Sequence, residues 1–254
     1  MKMFDELRRV VELGGRAVVL TVVEGENVGE KLLVREDGTS VGGPSELADL
    51  APDALRRGRS HVLEHGASKV FADVYGPPAR LFVYGAVDTA EALCGAAKLL
   101  GWRTIVADAR GRFATRERLP SADEIVVAWP EEALAQVQPD LGTAVVVLTH
   151  DDKFDLPALA GALATDAFYI GALGSRRNQE RRRERLREAG VADEEIDRIA
   201  GPCGLDIGAE SPAETALSML AEILATRAGR SGGPLKQAKT RIHAEPHEPA
   251  VSRT

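Results

Sequence analysis

From Arg80 onward, short apolar runs alternate with segments long enough to form helices, and this alternation constrains the fold more than any other feature of the sequence. A strand buried on both faces needs such an uninterrupted run, and an intervening helix supplies the crossover that parallel strands require. The pattern therefore predicts an α/β domain with a Rossmann-like, doubly wound parallel sheet. The predicted strands are residues 81–84, 104–107, 125–128, 144–148 and 168–173, and the predicted helices are residues 89–100, 130–137, 156–163 and 176–189.

The first third of the chain has the pattern of a small α+β domain. An amphipathic helix opens it, and a turn at Asp37-Gly38 follows the second of its strand-like runs. Gly76-Pro77-Pro78 then interrupts any sheet ladder, because proline has no amide donor. We therefore predict a small α+β domain over residues 1–78 and the Rossmann-like domain over residues 79–228. The predicted strands of the first domain are residues 17–23, 31–35, 60–63 and 69–75.

A last helix is indicated by Ser211-Pro212-Ala213-Glu214, which combines an N-cap hydroxyl, proline at the first helical position and glutamate three residues after the cap. Its apolar residues follow helical spacing and are expected to pack on the sheet. These residues are Leu217, Leu220, Ile223 and Leu224. Residues 229–254 have no periodicity and are expected to form a mobile tail.

Composition excludes several classes of function. The 254 residues include 32 Lys+Arg and 39 Asp+Glu, and the resulting net charge of −7 disfavours non-specific binding to nucleic acid. No apolar stretch reaches the roughly 18 residues that span a bilayer, so we expect a cytoplasmic protein with no membrane anchor. Cys94 and Cys203 lie far apart and have no metal-ligand spacing, so we expect reduced thiols and no structural metal.

Ligands of an open parallel sheet bind beyond the carboxyl ends of its strands. Gly85 begins the turn after the first strand, where dinucleotide-binding proteins have G-x-G-x-x-G/A, but Val87 replaces the second glycine and should obstruct a pyrophosphate. Asp108 lies 23 residues beyond Gly85, near the spacing at which an acidic side chain bonds a ribose hydroxyl. An ion pair with Arg110 or Arg112 is the equally weighted alternative for Asp108.

Polar residues also follow the fourth predicted strand, in the segment Thr149-His150-Asp151-Asp152. Their hydroxyl, imidazole and carboxylates could orient a ligand or transfer protons. Thr149, His150 and Asp151 are therefore candidate binding residues, whereas Asp152 or Asp155 is expected to cap the following helix. Residues this close together at a strand end do not readily converge on one ion, so no metal site is predicted.

The strongest signal for an anion site follows the fifth strand, between Gly171 and Arg177. Turn glycines at Gly171 and Gly174, an N-cap hydroxyl from Ser175, and guanidinium groups from Arg176 and Arg177 suit a phosphate group. The later arginines of this helix are expected to be solvated and to pair with Glu180, Glu184 and Glu188. These arginines are Arg181, Arg182, Arg183, Arg185 and Arg187.

A second glycine-rich segment, residues 201–209, precedes the last helix. Three glycines among these residues indicate tight turns or close approach to a ligand. Cys203, between two of them, is interpreted either as a sulfur-handling nucleophile or as a buried structural thiol.

Three ordered motifs in this chain resemble the XdhC/CoxI family, the accessory proteins for maturation of xanthine dehydrogenase and related molybdenum hydroxylases. The likeness covers about residues 80–225 well and the first third only loosely. The motifs are Leu148-Thr149-His150-Asp151, the segment from Tyr169 to Arg177, and Gly204-Leu205-Asp206-Ile207-Gly208-Ala209 followed by Pro212-Ala213-Glu214-Thr215-Ala216.

The resemblance implies a homodimeric carrier, rather than a catalyst, that binds the molybdenum cofactor (molybdopterin). Such a protein protects the cofactor while a cysteine desulfurase supplies its terminal sulfido ligand, and then delivers it to the apo molybdenum hydroxylase. The Gly-Gly-Cys often found in such proteins is Gly42-Gly43-Pro44 here. The candidate cofactor-binding residues are Gly85, Asp108, Thr149, His150, Asp151, Gly171, Gly174, Ser175, Arg176 and Arg177.

Two other functions remain compatible with the sequence. An NAD(P)-dependent oxidoreductase on the same scaffold is suggested by Gly85 and Asp108, with Val87 against it. A docking module could instead use the arginine-rich helix to contact an acidic partner, and strong salt dependence would then be expected.

Overall fold

The computed structural model describes residues 2–238 of the chain. The chain divides into two compact units. The first comprises Met1–Ala54, Arg59–Tyr75 and Gly233–Thr254, and the second comprises Leu55–Gly58 and Gly76–Gly232. Of the predicted mobile tail, residues 239–254 lie outside the described residues, and a short 3₁₀ turn occupies Leu235–Gln237.

The first unit is built on a five-stranded antiparallel sheet with the strand order β3-β2-β1-β5-β4. Residues Leu20, Leu33 and Ala72 of this sheet are buried, and a small core forms where Val10 of the first helix packs with Ala17 and Leu33. The predicted α+β character of this region is therefore confirmed. Its elements are α1 (Lys2–Glu12), β1 (Ala17–Glu24), β2 (Lys31–Arg35), β3 (Ser40–Gly42), a 3₁₀ helix (Ser45–Leu50), β4 (His61–His65), β5 (Ser68–Tyr75) and the first four residues of α2 (Ala51–Arg57), whose last three residues belong to the second unit.

The second unit contains a six-stranded sheet in which all pairs are parallel, with the order β11-β10-β9-β6-β7-β8. The predicted doubly wound, Rossmann-like sheet is therefore confirmed. Its strands are β6 (Arg80–Tyr84), β7 (Arg103–Ala107), β8 (Glu124–Val126), β9 (Thr143–Val147), β10 (Tyr169–Ala172) and β11 (Ile199–Ala200). Its helices are α3 (Asp88–Lys98), α4 (Pro130–Val137), α5 (Asp152–Leu163), α6 (Arg176–Glu188), α7 (Asp193–Ile196) and α8 (Pro212–Arg227).

Alternate residues of each strand enter two different cores, which explains the uninterrupted apolar runs. In β6, Leu81 and Val83 pack in the core that contains α3 and α8, whereas Phe82 and Tyr84 pack in the core that contains α4, α5 and α6. Both faces of the sheet are covered, so apolar side chains dominate the strand interiors.

The strand order reverses between β6 and β9. From β6 the chain moves to β7 and β8 on one side of the sheet, and then crosses to β9 and β10 on the other. Such a reversal opens a crevice at the carboxyl ends of the two central strands, because their connections leave in opposite directions. The ends of β6, β9 and β10 therefore lie at this crevice.

Several local predictions were wrong. Helix α5 begins at Asp152 and contains Pro157, so it starts four residues earlier than predicted. In α8, Leu220 and Ile223 are buried as predicted, but Leu217 and Leu224 are 57% and 36% exposed. The short strands β3 and β11 and the one-turn helix α7 were not predicted, because they are too short to show a period.

Within residues 2–238, no helix combines the length and the apolar character that crossing a bilayer requires.

Candidate functional site

The turn after β6 lies directly against the end of β9. Gly85 has φ +119°, and a Cβ atom built there would lie 3.0 Å from Thr149 Cγ2 and 3.1 Å from the Thr149 amide nitrogen. An L side chain rarely adopts this backbone conformation, and a Cβ atom would fit only if Thr149 shifted by a few tenths of an ångström. Glycine is therefore favoured at position 85, where the two strand ends approach each other.

Asp108, at the end of β7, is buried and engaged by four protein donors. Its Oδ1 accepts from the Arg110 amide and Nε, each at 2.9 Å, and its Oδ2 accepts from the Ala86 amide at 2.9 Å and Arg110 Nη2 at 2.8 Å. Burial acts to raise the pKa of Asp108, but the bonds from Arg110 and Ala86 outweigh it and leave that pKa below its ordinary value. Of the two interpretations of Asp108, the ion pair is confirmed, and its partner is Arg110 rather than Arg112.

This arrangement reduces the fit to NAD(P). The carboxylate that would accept a ribose hydroxyl is already bonded to Arg110 and to the turn after β6. Val87 is the N-cap residue of α3 and supplies no side-chain hydrogen bond. The first helical residue, Asp88, adds a negative charge, which is paired with Arg118 at 3.1 Å. A pyrophosphate would meet this carboxylate and a β-branched side chain at the helix start.

Thr149, at the end of β9, belongs to a buried polar cluster with Asp155 and Arg182. The Thr149 hydroxyl donates to Asp155 Oδ1, and Arg182 donates to Asp155 Oδ2 from Nε at 3.1 Å and from Nη2 at 2.5 Å. The Arg182 and Asp155 side chains are only 3% and 2% exposed. The prediction that Arg182 is solvated was therefore wrong, as was the prediction that Asp152 or Asp155 caps α5.

Arg182 also ties together the carboxyl ends of two strands. Its Nη1 donates to the Leu173 carbonyl at 2.8 Å after β10, and its Nη2 donates to the Thr149 carbonyl at 3.4 Å after β9. One guanidinium on α6 thus holds both turns that carry candidate residues. The sequence analysis did not identify Arg182 as a buried residue. The signal for its burial was helical spacing, since Arg182 and Leu186 follow Gln179 by three and seven residues and share one face of α6 with it.

His150 and Asp151 face solvent in the turn between β9 and α5. Asp151 is the N-cap of α5, and its Oδ1 accepts from the Lys153 amide at 3.2 Å. That bond and the Lys153 ammonium group hold the pKa of Asp151 below its ordinary value. His150 and Asp151 are therefore exposed to a ligand, whereas Thr149 is turned inward.

The start of α6 has the predicted features of an anion site. Ser175 is the N-cap residue and accepts from the Asn178 amide at 3.2 Å, while the preceding Gly174 has φ +147° and lies against Arg182. The amides of Arg176 and Arg177 have no intrahelical acceptor, because they belong to the first helical turn. Within the described part of the chain, the exposed side chains of Arg176 and Arg177 form no ion pair.

The arginines of α6 at positions 181, 183, 185 and 187 pair with aspartates of neighbouring elements and not with the glutamates predicted. Arg181 and Arg185 contact Asp152 at 3.5 and 3.0 Å. Arg183 contacts Asp197 at 2.6 Å, and Arg187 contacts Asp193 at 2.6 Å. The uncompensated positive charge of this helix is consequently concentrated in its first turn, where the macrodipole also favours an anion.

Gly171 has a packing role inside β10, so its prediction as a turn glycine was wrong. A Cβ atom at Gly171 would lie 2.7 Å from the Tyr169 ring and 3.1 Å from Cys203 Cβ. Cys203 is a buried free thiol. Burial, to which the charge of Glu222 adds, raises the pKa of Cys203 to about 12. The structural interpretation of Cys203 is favoured, because a thiol protonated at neutral pH is a poor nucleophile.

Gln179, one turn into α6, is a further residue that sequence reasoning did not single out. Its side chain is buried against Gly201, where a Cβ atom would overlap it, and its Oε1 has no hydrogen-bond donor among the described residues. A buried acceptor without a donor is unfavourable, and because this oxygen is not exposed it offers no open group to a ligand. Across residues 2–238, no three His, Cys, Asp or Glu side chains are grouped so that they could hold a metal ion.

Comparison with known proteins gives relatives for this architecture. YqeB of Escherichia coli K12, an uncharacterized protein, is 35% identical over 171 residues, which cover 66% of this chain and 31% of YqeB. A protein of Bacillus subtilis 168, named as a probable subunit of xanthine dehydrogenase, is 33% identical over 160 residues, 63% of this chain and 46% of that protein. The molybdenum cofactor insertion chaperone PaoD of E. coli K12 is 33% identical over 153 residues, 60% of this chain and 42% of PaoD. The chain thus spans less than half the length of each of these relatives.

A solved structure and a family model complete the comparison. The crystal structure of a xanthine dehydrogenase from Bacillus halodurans superposes with a TM-score of 0.61 at 24% identity, covering 90% of this chain and 66% of that one, and so shares the fold. The model of the XdhC Rossmann domain matches residues 81–223, more than half of the chain and nearly all of the second sheet with its helices. The chain therefore belongs to the XdhC family.

Proposed function

We propose that this chain binds the molybdenum cofactor as cargo, with the terminal phosphate of the cofactor at the start of α6. The observation that carries the proposal is the combination there of a Ser175 cap, two amides without intrahelical acceptors and the two exposed guanidiniums of Arg176 and Arg177. Phosphate matches this set in charge and in hydrogen-bond geometry.

The remaining candidate residues divide into contacts and supports. His150 and Asp151 offer polar groups to the pterin ring. Gly85 and Thr149 shape the floor of the crevice. Asp108, Gly171 and Gly174 contribute through their positions, because Asp108 is bonded within the protein and the two glycines make room for neighbouring side chains.

The biological role that we propose is an accessory one in the maturation of xanthine dehydrogenase-type molybdenum hydroxylases. In this role the chain, as a cytoplasmic homodimer, shields the cofactor while a cysteine desulfurase supplies the sulfido ligand, and then delivers it to the apo-enzyme. The names of two relatives, a cofactor insertion chaperone and a probable component of xanthine dehydrogenase, support this role. The chain acts as a carrier, and the NAD(P)-dependent alternative has no free acceptor at Asp108 to support it.

Anaerobic equilibrium binding tests the proposal. Cofactor released from a molybdenum enzyme is mixed with the protein, and the bound pterin is quantified after oxidation to its fluorescent form. We expect the double variant R176A/R177A to bind more than about tenfold more weakly, a change of about 1.4 kcal/mol. The matched control R183A/R187A removes the same charge from the same helix and should bind like the wild type. Equal weakening in both variants, or in neither, would contradict the phosphate anchor.

A further inference from the structure

Trp129 occupies a position for which the local fold gives no reason to select tryptophan. It is the N-cap residue of α4, where serine, threonine, aspartate or asparagine is favoured, and an indole has no acceptor to cap the helix. No side chain caps the free amides of α4. The Trp129 amide donates to the Glu132 side chain at 3.3 Å, and the Trp129 carbonyl accepts the first helical bond from the Ala133 amide at 2.8 Å. The side chain is nonetheless 50% exposed, in a chain with only 4% aromatic residues.

The exposed indole is supported from below by the first turn of α5. Its ring centroid lies 5.2 Å from that of Phe154, with the planes tilted by 45°. Phe154 is buried and contacts Tyr84 at 6.4 Å between centroids. Lys153 Nζ and the Arg110 guanidinium lie 4.8 and 5.5 Å from the Phe154 ring. Trp129 therefore packs next to the turn that leads into α5, and the Phe154 ring beneath it is flanked by Arg110 and Lys153.

The packing of α4, α5 and α6 against the sheet determines where Trp129 lies relative to α6. Helices α4, α5 and α6 pack on one face of the sheet, and their N-termini all lie at its carboxyl edge. Trp129 packs on Phe154 in the first turn of α5, and Asp152 at the start of α5 pairs with Arg181 and Arg185 of α6. The first turn of α5 therefore lies between the indole and α6.

We propose that Trp129 is the platform on which a planar heteroaromatic ring, the pterin of the cargo, stacks while the phosphate lies at Ser175, Arg176 and Arg177. This inference rests on the proposed function and adds to it the residue that recognises the ring. Stacking on an aromatic side chain changes affinity for a base by about tenfold to a hundredfold and tolerates differences in ring edges. Trp129 thus selects for a ring joined to the phosphate, whereas the α6 start alone selects only for the anion.

The test separates the ring from the phosphate. Neopterin 3′-phosphate and inorganic phosphate are titrated into the wild type, W129L, W129F and W102F. Trp102 is a buried tryptophan at the opposite, amino edge of the sheet, just before β7, so W102F controls for the loss of an indole away from the proposed site. For W129L we expect about tenfold weaker binding of neopterin 3′-phosphate and unchanged binding of inorganic phosphate. W129F should restore most of the affinity, and W102F should match the wild type.

The absorption spectrum of the ligand gives a second readout that a structural defect would not mimic. Stacking should lower the intensity of the long-wavelength pterin band in the wild type and in W129F but not in W129L. Equal affinities of W129L and the wild type for neopterin 3′-phosphate would overturn the inference and leave the phosphate anchor in place. The inference would also be overturned if W129L bound neopterin 3′-phosphate like the wild type and had lost only its binding to the recipient molybdenum enzyme. Failure of the wild type to bind either neopterin 3′-phosphate or the cofactor would instead refute the proposed function itself.

Discussion

Replacing Arg182 by methionine should destabilise the second unit more than any other arginine substitution in α6. Methionine keeps the apolar stem but removes the guanidinium, which leaves the Asp155 carboxylate, 2% exposed, with Thr149 as its remaining partner. The Leu173 carbonyl also loses its 2.8 Å bond. Breaking a buried ion pair in this way costs about 3–5 kcal/mol, a large part of the roughly 5–15 kcal/mol that stabilises a domain.

Urea unfolding followed by circular dichroism measures this cost, with R181M as the matched control. Arg181 is the neighbouring residue of the same helix, but its side chain is 52% exposed and contacts Asp152 at 3.5 Å, so its loss should cost at most about 1 kcal/mol. The double variant R182M/D155L should recover part of the loss, because no unpaired charge remains buried. A difference between R182M and R181M below about 1 kcal/mol would refute the reasoning.

Three further results are expected. R110M should raise the pKa of Asp108, because Arg110 holds that pKa low in the folded protein. A lowered folded-state pKa stabilises the protein above the unfolded value of about 3.9, and this stabilisation is lost as the pH falls through the folded-state pKa. The difference in unfolding free energy between the wild type and R110M should therefore shrink from pH 7 to pH 3. An identical gap at both values would contradict this. Gly85→Ala should lower stability by about 1–3 kcal/mol, because its Cβ meets Thr149 at 3.0 Å in a φ +119° backbone; an unchanged thermal midpoint would disagree. Burial raises the pKa of both cysteine thiols to about 12, so a thiol reagent at pH 8 should react slowly with the native protein and rapidly in urea, and rapid native reaction would argue against buried thiols.

The fold could be predicted because the sheet is buried on both faces. Leu81 and Val83 face one core and Phe82 and Tyr84 the other, so the strand must be apolar throughout, and the sequence displays this directly. The start of α6 was equally predictable, since Ser175 caps the helix and its contacts are local in sequence.

The buried polar cluster could not be predicted in the same way. Arg182, Asp155 and Thr149 come from three elements, and their pairing depends on how α5 and α6 pack against the strand ends. The helical spacing of Arg182 with Gln179 and Leu186 indicates that it lies on their face of α6, but it does not identify the groups with which Arg182 pairs. Leu217 shows the opposite error, because it was predicted to be buried and is exposed. Helical spacing identifies which residues share a face, but not whether another element covers that face.

Anaerobic isolation of the native protein from cells that make the molybdenum cofactor tests the central claim most directly. The bound pterin is quantified after oxidation to its fluorescent form, for the wild type and for R176A/R177A. Binding of the cofactor through its phosphate at the start of α6 predicts near-stoichiometric pterin in the wild type and strongly reduced pterin in the variant. Wild-type protein without pterin, from cells shown to contain free cofactor, would contradict it.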